Sequence, residues 1–397
     1  MKISNRLSNI KGGGSDGWDL FVRARGMIAQ GIPVTELTIG EHDIRTDPLI
    51  LDALHRAALA GNTGYTEFSG MKSLRENVAR RVTERTGAKT TPDNVLIVPG
   101  GQSALYACHY TALDPGDTGL FIDPYYATYP GTIRTVGAVP RAIKARSAHQ
   151  FQPDAALISA AAIEAGEAGR PAKSLLINSP NNPTGVIYTR DTLDKIAGVC
   201  ADHDLWLISD EVYDTQIWNG QHISPRSLPG MAERTLVVGS MSKSHAMTGS
   251  RIGWVIGPED IVARMGDLTM NTTYGVCGYI QEAALFALEQ GPAFEEKIAA
   301  PFRRRRDLVM RQIEGQNVVR AIPADGAMYV MLDIRATGLS GDDFAALLLD
   351  THHVAVMPGE SFGAAAAGHV RVALTVDDAR LEVAVGQLLD LAALRAK

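Results

Sequence analysis

Between about residue 94 and residue 257 the chain repeats one pattern: a short apolar run, a polar motif, then a stretch with helical spacing. The runs are Val95-Leu96-Ile97-Val98, Gly119-Leu120-Phe121-Ile122, Leu175-Leu176-Ile177-Asn178, Leu205-Trp206-Leu207-Ile208 and Leu236-Val237-Val238. They read as near-continuous apolar stretches, so each predicts a strand buried on both faces. Between the third and fourth, Leu193, Ile196, Ala197 and Cys200 share one face of a helix expected over Asp191 to His203. Strands alternating with such helices predict an α/β fold with a mostly parallel sheet covered on both sides.

The polar motifs fall at strand ends. Gly100-Gly101-Gln102-Ser103, Asp123-Pro124-Tyr125-Tyr126, Asn181-Asn182, Asp210 and Lys243 each follow the carboxyl end of an expected strand. Open α/β sheets bind ligands at that edge. Five motifs far apart in sequence therefore point to one site.

At 397 residues the chain exceeds what one simple core serves, and two domains are expected. Residues 46–285 form the larger. Residues 286–397 form a smaller α+β domain, after a long helical stretch over about Ile280 to Gln312. Its strands are expected at Ala327 to Leu332, Val354 to Val356 and His369 to Ala373, with a terminal helix from Ala379 to Arg395. Residues 1–45, with a Gly-rich loop (Gly12, Gly13, Gly14, Gly17) and a helix over Leu20 to Gln30, are expected to join the smaller domain.

A net charge of -6 argues against a general nucleic-acid binder, and Arg303-Arg304-Arg305-Arg306 reads as a solvated helix face with some packed stems. Cys108, Cys200 and Cys277 show no metal or redox spacing, which suits incidental core thiols in a reduced, cytoplasmic protein. The opening residues lack the apolar stretch of a signal peptide, and no apolar run reaches the ~18 residues of a membrane span. No metal site is expected.

The chemistry concentrates in Ser240-Met241-Ser242-Lys243 and Arg251. Two hydroxyls and an arginine can hold a phosphate beside a lysine whose amine becomes nucleophilic once it is desolvated or set near cations. Gly101-Gln102 opens a helix, and helix N-termini bind anions. Asp210 and Tyr213 add a carboxylate and a phenol, and Asn182 adds an amide on a proline-rich turn. Spacing alone makes Asp210 a helix cap, a reading that the rest of the constellation reverses, and Asn182 is also readable as a turn residue before Pro183. Together these groups are what pyridoxal phosphate needs from a protein.

In this order the motifs resemble the aspartate-aminotransferase superfamily, the fold-type I pyridoxal-phosphate enzymes of aminotransferase classes I and II. The resemblance runs from Leu37-Thr38-Ile39-Gly40-Glu41 to Gly368-His369-Val370-Arg371. It implies that Lys243 carries the cofactor covalently and shuttles the substrate's Cα proton. Asp210 would pair with the pyridine nitrogen, while Tyr213 and Asn182 would bond the phenolic oxygen. Gly101, Gln102, Ser240, Ser242 and Arg251 would hold the phosphate. Tyr126 would stack on the ring, although Tyr125 and Tyr129 lie close by. Tyr65 would reach the phosphate from a partner subunit, which implies a homodimer with composite sites. Arg371 would grip the substrate α-carboxylate, with the Gly40 backbone close to it. Pro358 to Gly363 reads as a structural loop, and His245 as packing.

The implied reaction moves the amino group of an L-amino acid to a 2-oxo acid by a ping-pong mechanism. Ser242 to Gly249, His203-Asp204-Leu205-Trp206, Ser227 to Ala232 and Trp18-Asp19 are similar to the bacterial arginine–pyruvate transaminases of that superfamily. Gln102 stands where some aspartate enzymes have a lysine. These features imply a basic or large neutral donor and a pyruvate-like acceptor, with Trp18 and Asp19 at the cleft mouth. The alternatives are an aspartate or aromatic aminotransferase, or a C–S β-lyase using the same cofactor.

Overall fold

The computed structural model describes residues 1–12 and 18–396. Gly13, Gly14 and Gly17 of the expected Gly-rich loop lie outside the described residues. The described residues form twelve strands: Thr35–Leu37 (β1), Val95–Val98 (β2), Thr118–Asp123 (β3), Val139–Lys144 (β4), Ala172–Asn178 (β5), Trp206–Asp210 (β6), Thr235–Ser240 (β7), Gly253–Ile256 (β8), Arg320–Ala321 (β9), Tyr329–Asp333 (β10), Val354–Pro358 (β11) and His369–Ala373 (β12). Seven make one sheet in the order β2-β8-β7-β6-β5-β3-β4, and five make another in the order β1-β11-β12-β10-β9.

The large sheet is parallel except for β8, which runs antiparallel to both β7 and β2. Its inner strands are mostly apolar because both faces are covered. Leu176, Ile208 and Val238 pack with Leu105 and Cys108 on one side. Leu175, Ile177 and Leu207 pack with Ile158 and Ile196 on the other. Adjacent residues of one strand thus enter different cores, as the period of two requires.

The smaller sheet joins the two ends of the chain. β1 pairs in parallel with β11, setting Leu37 opposite Val356, so the segment after β1 is delivered beside β12 and its Arg371.

Four strands were absent from the sequence expectation: β1, β4, β8 and β9, of which β1 and β9 span only three and two residues. In β4, Arg141 and Lys144 interrupt the apolar pattern; the strand pairs only with β3, at the sheet edge, where charged side chains can stand in water. β8 is only four residues long and follows directly on the Arg251 turn. The expected long helix over Ile280 to Gln312 is two, Gly278–Glu289 and Pro292–Ile313. Gly291 at φ +76° and Pro292 end the first helix and start the second.

The arginine run is less solvated than expected. Arg305 is buried and paired with Asp43 at 2.6 Å, whereas Arg303 and Arg304 pair with Glu296 and Asp378 at the surface. Cys108 and Cys200 are buried; Cys277 is exposed and so is not a core thiol. Among the described residues no group of His, Cys, Asp or Glu could hold a metal ion, and no helix is long and apolar enough to cross a membrane.

Candidate active site

The carboxyl ends of the parallel strands open into a cavity of about 300 Å³. Its wall includes Gly101 and Gln102 after β2, Tyr126 after β3, Asn182 after β5, Asp210 and Tyr213 at the end of β6, and Ser240, Ser242 and Lys243 at the end of β7. Arg251 joins them at the rim. The smaller sheet and the N-terminal segment supply Arg371, Gly40 and Trp18.

Asp210 ends β6 beside Asn178 of β5 and is almost wholly buried. Burial pushes its carboxyl up to about 6, opposed by a hydrogen bond from Tyr129 Oη to Oδ2 at 2.7 Å. Its Oδ1 also accepts the Val212 amide at 3.3 Å, so Asp210 caps a turn and faces the cavity at once. Asn178 ties the region together: its Nδ2 donates to the Asp210 carbonyl at 2.8 Å, and its Oδ1 accepts the Asn182 amide at 2.7 Å.

Lys243 lies in the short helix Met241–Ser244, capped by Ser240. Its Nζ donates to the Gly40 carbonyl. Enclosure by protein disfavours the ammonium and lowers its pKa to about 8; Arg371 and Arg251 push the same way, while Glu41 opposes them. A buried lysine near this value is a usable nucleophile and base at neutral pH. His42, neutral because burial lowers its pKa to about 3, bonds the Lys243 carbonyl through Nε2 at 2.9 Å.

Arg371 is 5% exposed, and no carboxylate among the described residues pairs with it. Its Nη1 donates to Asn182 Oδ1 at 2.8 Å and its Nη2 to the Thr38 carbonyl, while Nε has no partner. The guanidinium sits 4.4 Å from the ring centres of both Tyr329 and Phe362. A buried cation held by neutral groups alone has donors that could bind an anion. Tyr329 Oη also meets Tyr213 Oη at 3.0 Å and Asn182 Nδ2 at 3.5 Å. Gly40 is required here, because a Cβ would collide with the Tyr329 hydroxyl.

At the opposite end of the chemistry, the helix Gly101–Ala112 presents its first amides to the cavity. Gly100 has φ +81°, and a Cβ there would press on the Arg251 guanidinium at 2.6 Å. Arg251 itself bonds the Thr248 carbonyl at 2.8 Å, and Ser240 Oγ bonds Ser242 Oγ at 2.9 Å. Amides, two hydroxyls and an arginine with no carboxylate partner among the described residues are groups that could hold a phosphate.

Thirteen of the fourteen site residues expected from sequence border this cavity. Tyr65 does not. It is 87% exposed and packs edge-on against Tyr274 at 4.9 Å. Asp19 is likewise exposed and off the cavity wall, in the first turn of the helix Asp19–Ala29; Glu41 is the additional wall carboxylate instead. The loop expected to be structural also serves the site, since Phe362 stacks on Arg371 and lines the cavity. His245 is buried against Phe294, as expected of packing. Sequence reasoning missed Tyr329, Asn178 and the bond from Tyr129 to Asp210. Tyr129 had a signal, lying three residues past Tyr126 at the start of a helix; Tyr329, from another sheet, had none.

The fold and the cavity define a fold-type I transaminase: the chain belongs to the aminotransferase class I and II family, whose profile matches residues 32–388. Among its relatives, the arginine–pyruvate transaminase AruH of Pseudomonas aeruginosa is 40% identical over 376 residues, covering 95% of this chain and 94% of that one. The aspartate/prephenate aminotransferase of Thermus thermophilus is 34% identical over 360 residues, 90% of each chain. A solved Thermus thermophilus aspartate aminotransferase, a single mutant, superposes with a TM-score of 0.90 at 31% identity, covering 98% of this chain and all of that one.

Proposed function

We propose that the cavity binds pyridoxal 5′-phosphate and that the enzyme moves the amino group of a basic or large neutral L-amino acid to pyruvate or a similar small 2-oxo acid. One observation carries the cofactor assignment: Lys243 and Asp210 face the same cavity, with groups that could hold a phosphate along its wall. Their charges suit the ligand. A buried carboxyl near 6 gains from a cationic ring nitrogen, and a lysine near 8 supplies the amine. When bound, the cofactor supplies an electron sink for the pair left at the substrate's Cα.

The chain does the rest. Arg371 fixes the α-carboxylate through a charge-assisted fork, and Asn182 and Tyr329 hold that arginine in place. Lys243 Nζ takes the proton from Cα. Asp210 keeps a proton on the ring nitrogen, with Tyr129 favouring its ionised form. Tyr213 and the Asn182 amide offer donors to the ring hydroxyl, and Tyr126 a face on which the ring stacks. Gln102, a neutral side chain bonded by Thr128 at 3.2 Å, leaves that wall without a lysine for a second carboxylate. The name of the Pseudomonas relative, which pairs arginine with pyruvate, supports the same donor and acceptor.

A cytoplasmic homodimer with composite sites completes the reading, supported by the aromatic Tyr65 standing exposed beside Tyr274. Its domains are a large cofactor-binding unit of residues 46–285 and a small unit of 286–397 completed by 1–45, a division that the pairing of β1 with β11 favours. The test mixes the enzyme, loaded with pyridoxal phosphate, with single amino acids. Visible absorbance of the lysine-bound cofactor should fall as stoichiometric 2-oxo acid appears, fastest with arginine or large neutral donors. Preference for aspartate would overturn the donor, and turnover without any 2-oxo acceptor would indicate a lyase.

A further inference from the structure

Glu211 follows Asp210 directly but faces another cavity. That cavity, about 270 Å³, is lined by Glu211, His222, Asp214, Arg81, Arg85 and Trp254 among others, and shares no residue with the active-site wall. Glu211 is buried and receives three bonds: from Ser209 Oγ at 2.9 Å, from Ser224 Oγ at 2.8 Å and from His222 Nε2 at 3.0 Å. The other charges pair among themselves. Arg81 meets Asp214 at 2.8 Å and Glu295 at 2.9 Å, and Arg85 meets Glu295 at 2.6 Å and Asp214 at 3.6 Å. Two cations thus match two anions, and His222 is left as the ion-pair partner of Glu211. Arg226 adds a more distant positive field, its own bonds going to Thr90 and the Lys89 carbonyl.

We infer that His222 is a positioning residue for the cofactor site: protonated against Glu211, it compensates the charge next to Asp210 and so keeps Asp210 ionised toward the cofactor. This rests on the reading of Asp210 above. The groups facing Asp210 are Tyr129, which favours its charge, and Glu211, which opposes it; Tyr126 and Cys108 lie within its field. The groups facing His222 are Glu211 and Asp214, which favour its proton, and Arg85, which opposes it; their balance raises its pKa although burial, the largest effect, lowers it. Removing the positive charge leaves Glu211 uncompensated. Asp210 then takes up a proton at higher pH, by about half a unit or more for one nearby charge at an effective dielectric of about 20.

The experiment measures the dissociation constant of pyridoxal phosphate from pH 5 to 8 by protein fluorescence. The wild type, Asp210→Asn, His222→Gln, Glu211→Gln and the double variant His222→Gln/Glu211→Gln are compared. The wild type should lose affinity on an acid limb that Asp210→Asn abolishes. His222→Gln should move that limb up, Glu211→Gln should move it down, and the double variant should bring it back toward wild type. A limb unmoved in both single variants, or displaced equally in His222→Gln and the double variant, overturns the inference. If His222→Gln does not fold, Glu211→Gln alone decides by the direction of its shift. Survival of the limb in Asp210→Asn would instead overturn the reading of Asp210, and absence of binding at every pH would overturn the cofactor.

Discussion

Arg371→Lys keeps the positive charge of the carboxylate site and removes its fork. In the structure Nη1 serves Asn182 and Nη2 serves the Thr38 carbonyl, while the guanidinium lies between the Tyr329 and Phe362 rings. A guanidinium has five N–H donors and an ammonium three. A lysine that kept both protein acceptors would have one donor left for a substrate carboxylate, where arginine offers a pair. The difference is one charge-assisted hydrogen bond, about 1.5–3 kcal/mol, or a loss of about 10- to 150-fold in kcat/KM. Every donor and acceptor carries the same carboxylate, so the factor should be nearly common to all. The assay is kcat/KM for arginine, alanine, phenylalanine and aspartate with pyruvate held constant, then for pyruvate with the donor held constant. Thermal denaturation establishes that the variant remains folded. A loss below about threefold, less than one such bond gives, or a loss confined to one donor, would refute the assignment.

Four further outcomes are expected. In the apoenzyme, acylation of Lys243 followed by peptide mass spectrometry should be half-maximal near pH 8, because enclosure disfavours the ammonium and extends the neutral amine to lower pH; titration alongside surface lysines near pH 10.4 would count against it. Tyr129→Phe removes a bond to the ionised form of Asp210, so the acid limb of cofactor binding should move up by about one to two pH units; an unmoved limb would make that bond incidental. Inactive Lys243→Ala and Tyr65→Ala subunits, once mixed and exchanged, should form heterodimers with one restored site, and continued inactivity despite proven exchange would remove Tyr65 from the site. Glu41→Gln should lower kcat/KM for arginine relative to alanine by about fivefold, the scale of an exposed ion pair, whereas Asp19→Asn should leave that ratio alone; equal loss with both donors would deny Glu41 a part in donor choice.

Much of the site could be read along the chain because its groups sit at strand ends. The continuous apolar runs of β2, β3, β5, β6 and β7 can be satisfied only by burial on both faces, which dictates a covered, mostly parallel sheet. Such a sheet gathers its carboxyl ends, so Gly101, Asn182, Asp210 and Lys243 share one cavity although up to 142 residues, from Gly101 to Lys243, separate them. Local pattern failed at the charged edge strand β4, at β8, which starts two residues past the Arg251 turn, and at β1 and β9, which span only three and two residues.

Which groups touch was decided by the tertiary structure. Tyr329 reaches Tyr213, Asn182 and Arg371 only because β10 packs beside β12 in the second sheet, and nothing near residue 329 in the chain announces those partners. The substitution of Glu41 for Asp19 on the cavity wall follows from the same cause: β1 pairs with β11 and carries residues 39–41 to the cavity, while Asp19 points from a helix into water. The charges followed the packing as well. Sequence assigned a lysine and an aspartate, but their values near 8 and 6 arise from enclosure, a property of the folded surroundings that neither side chain possesses alone.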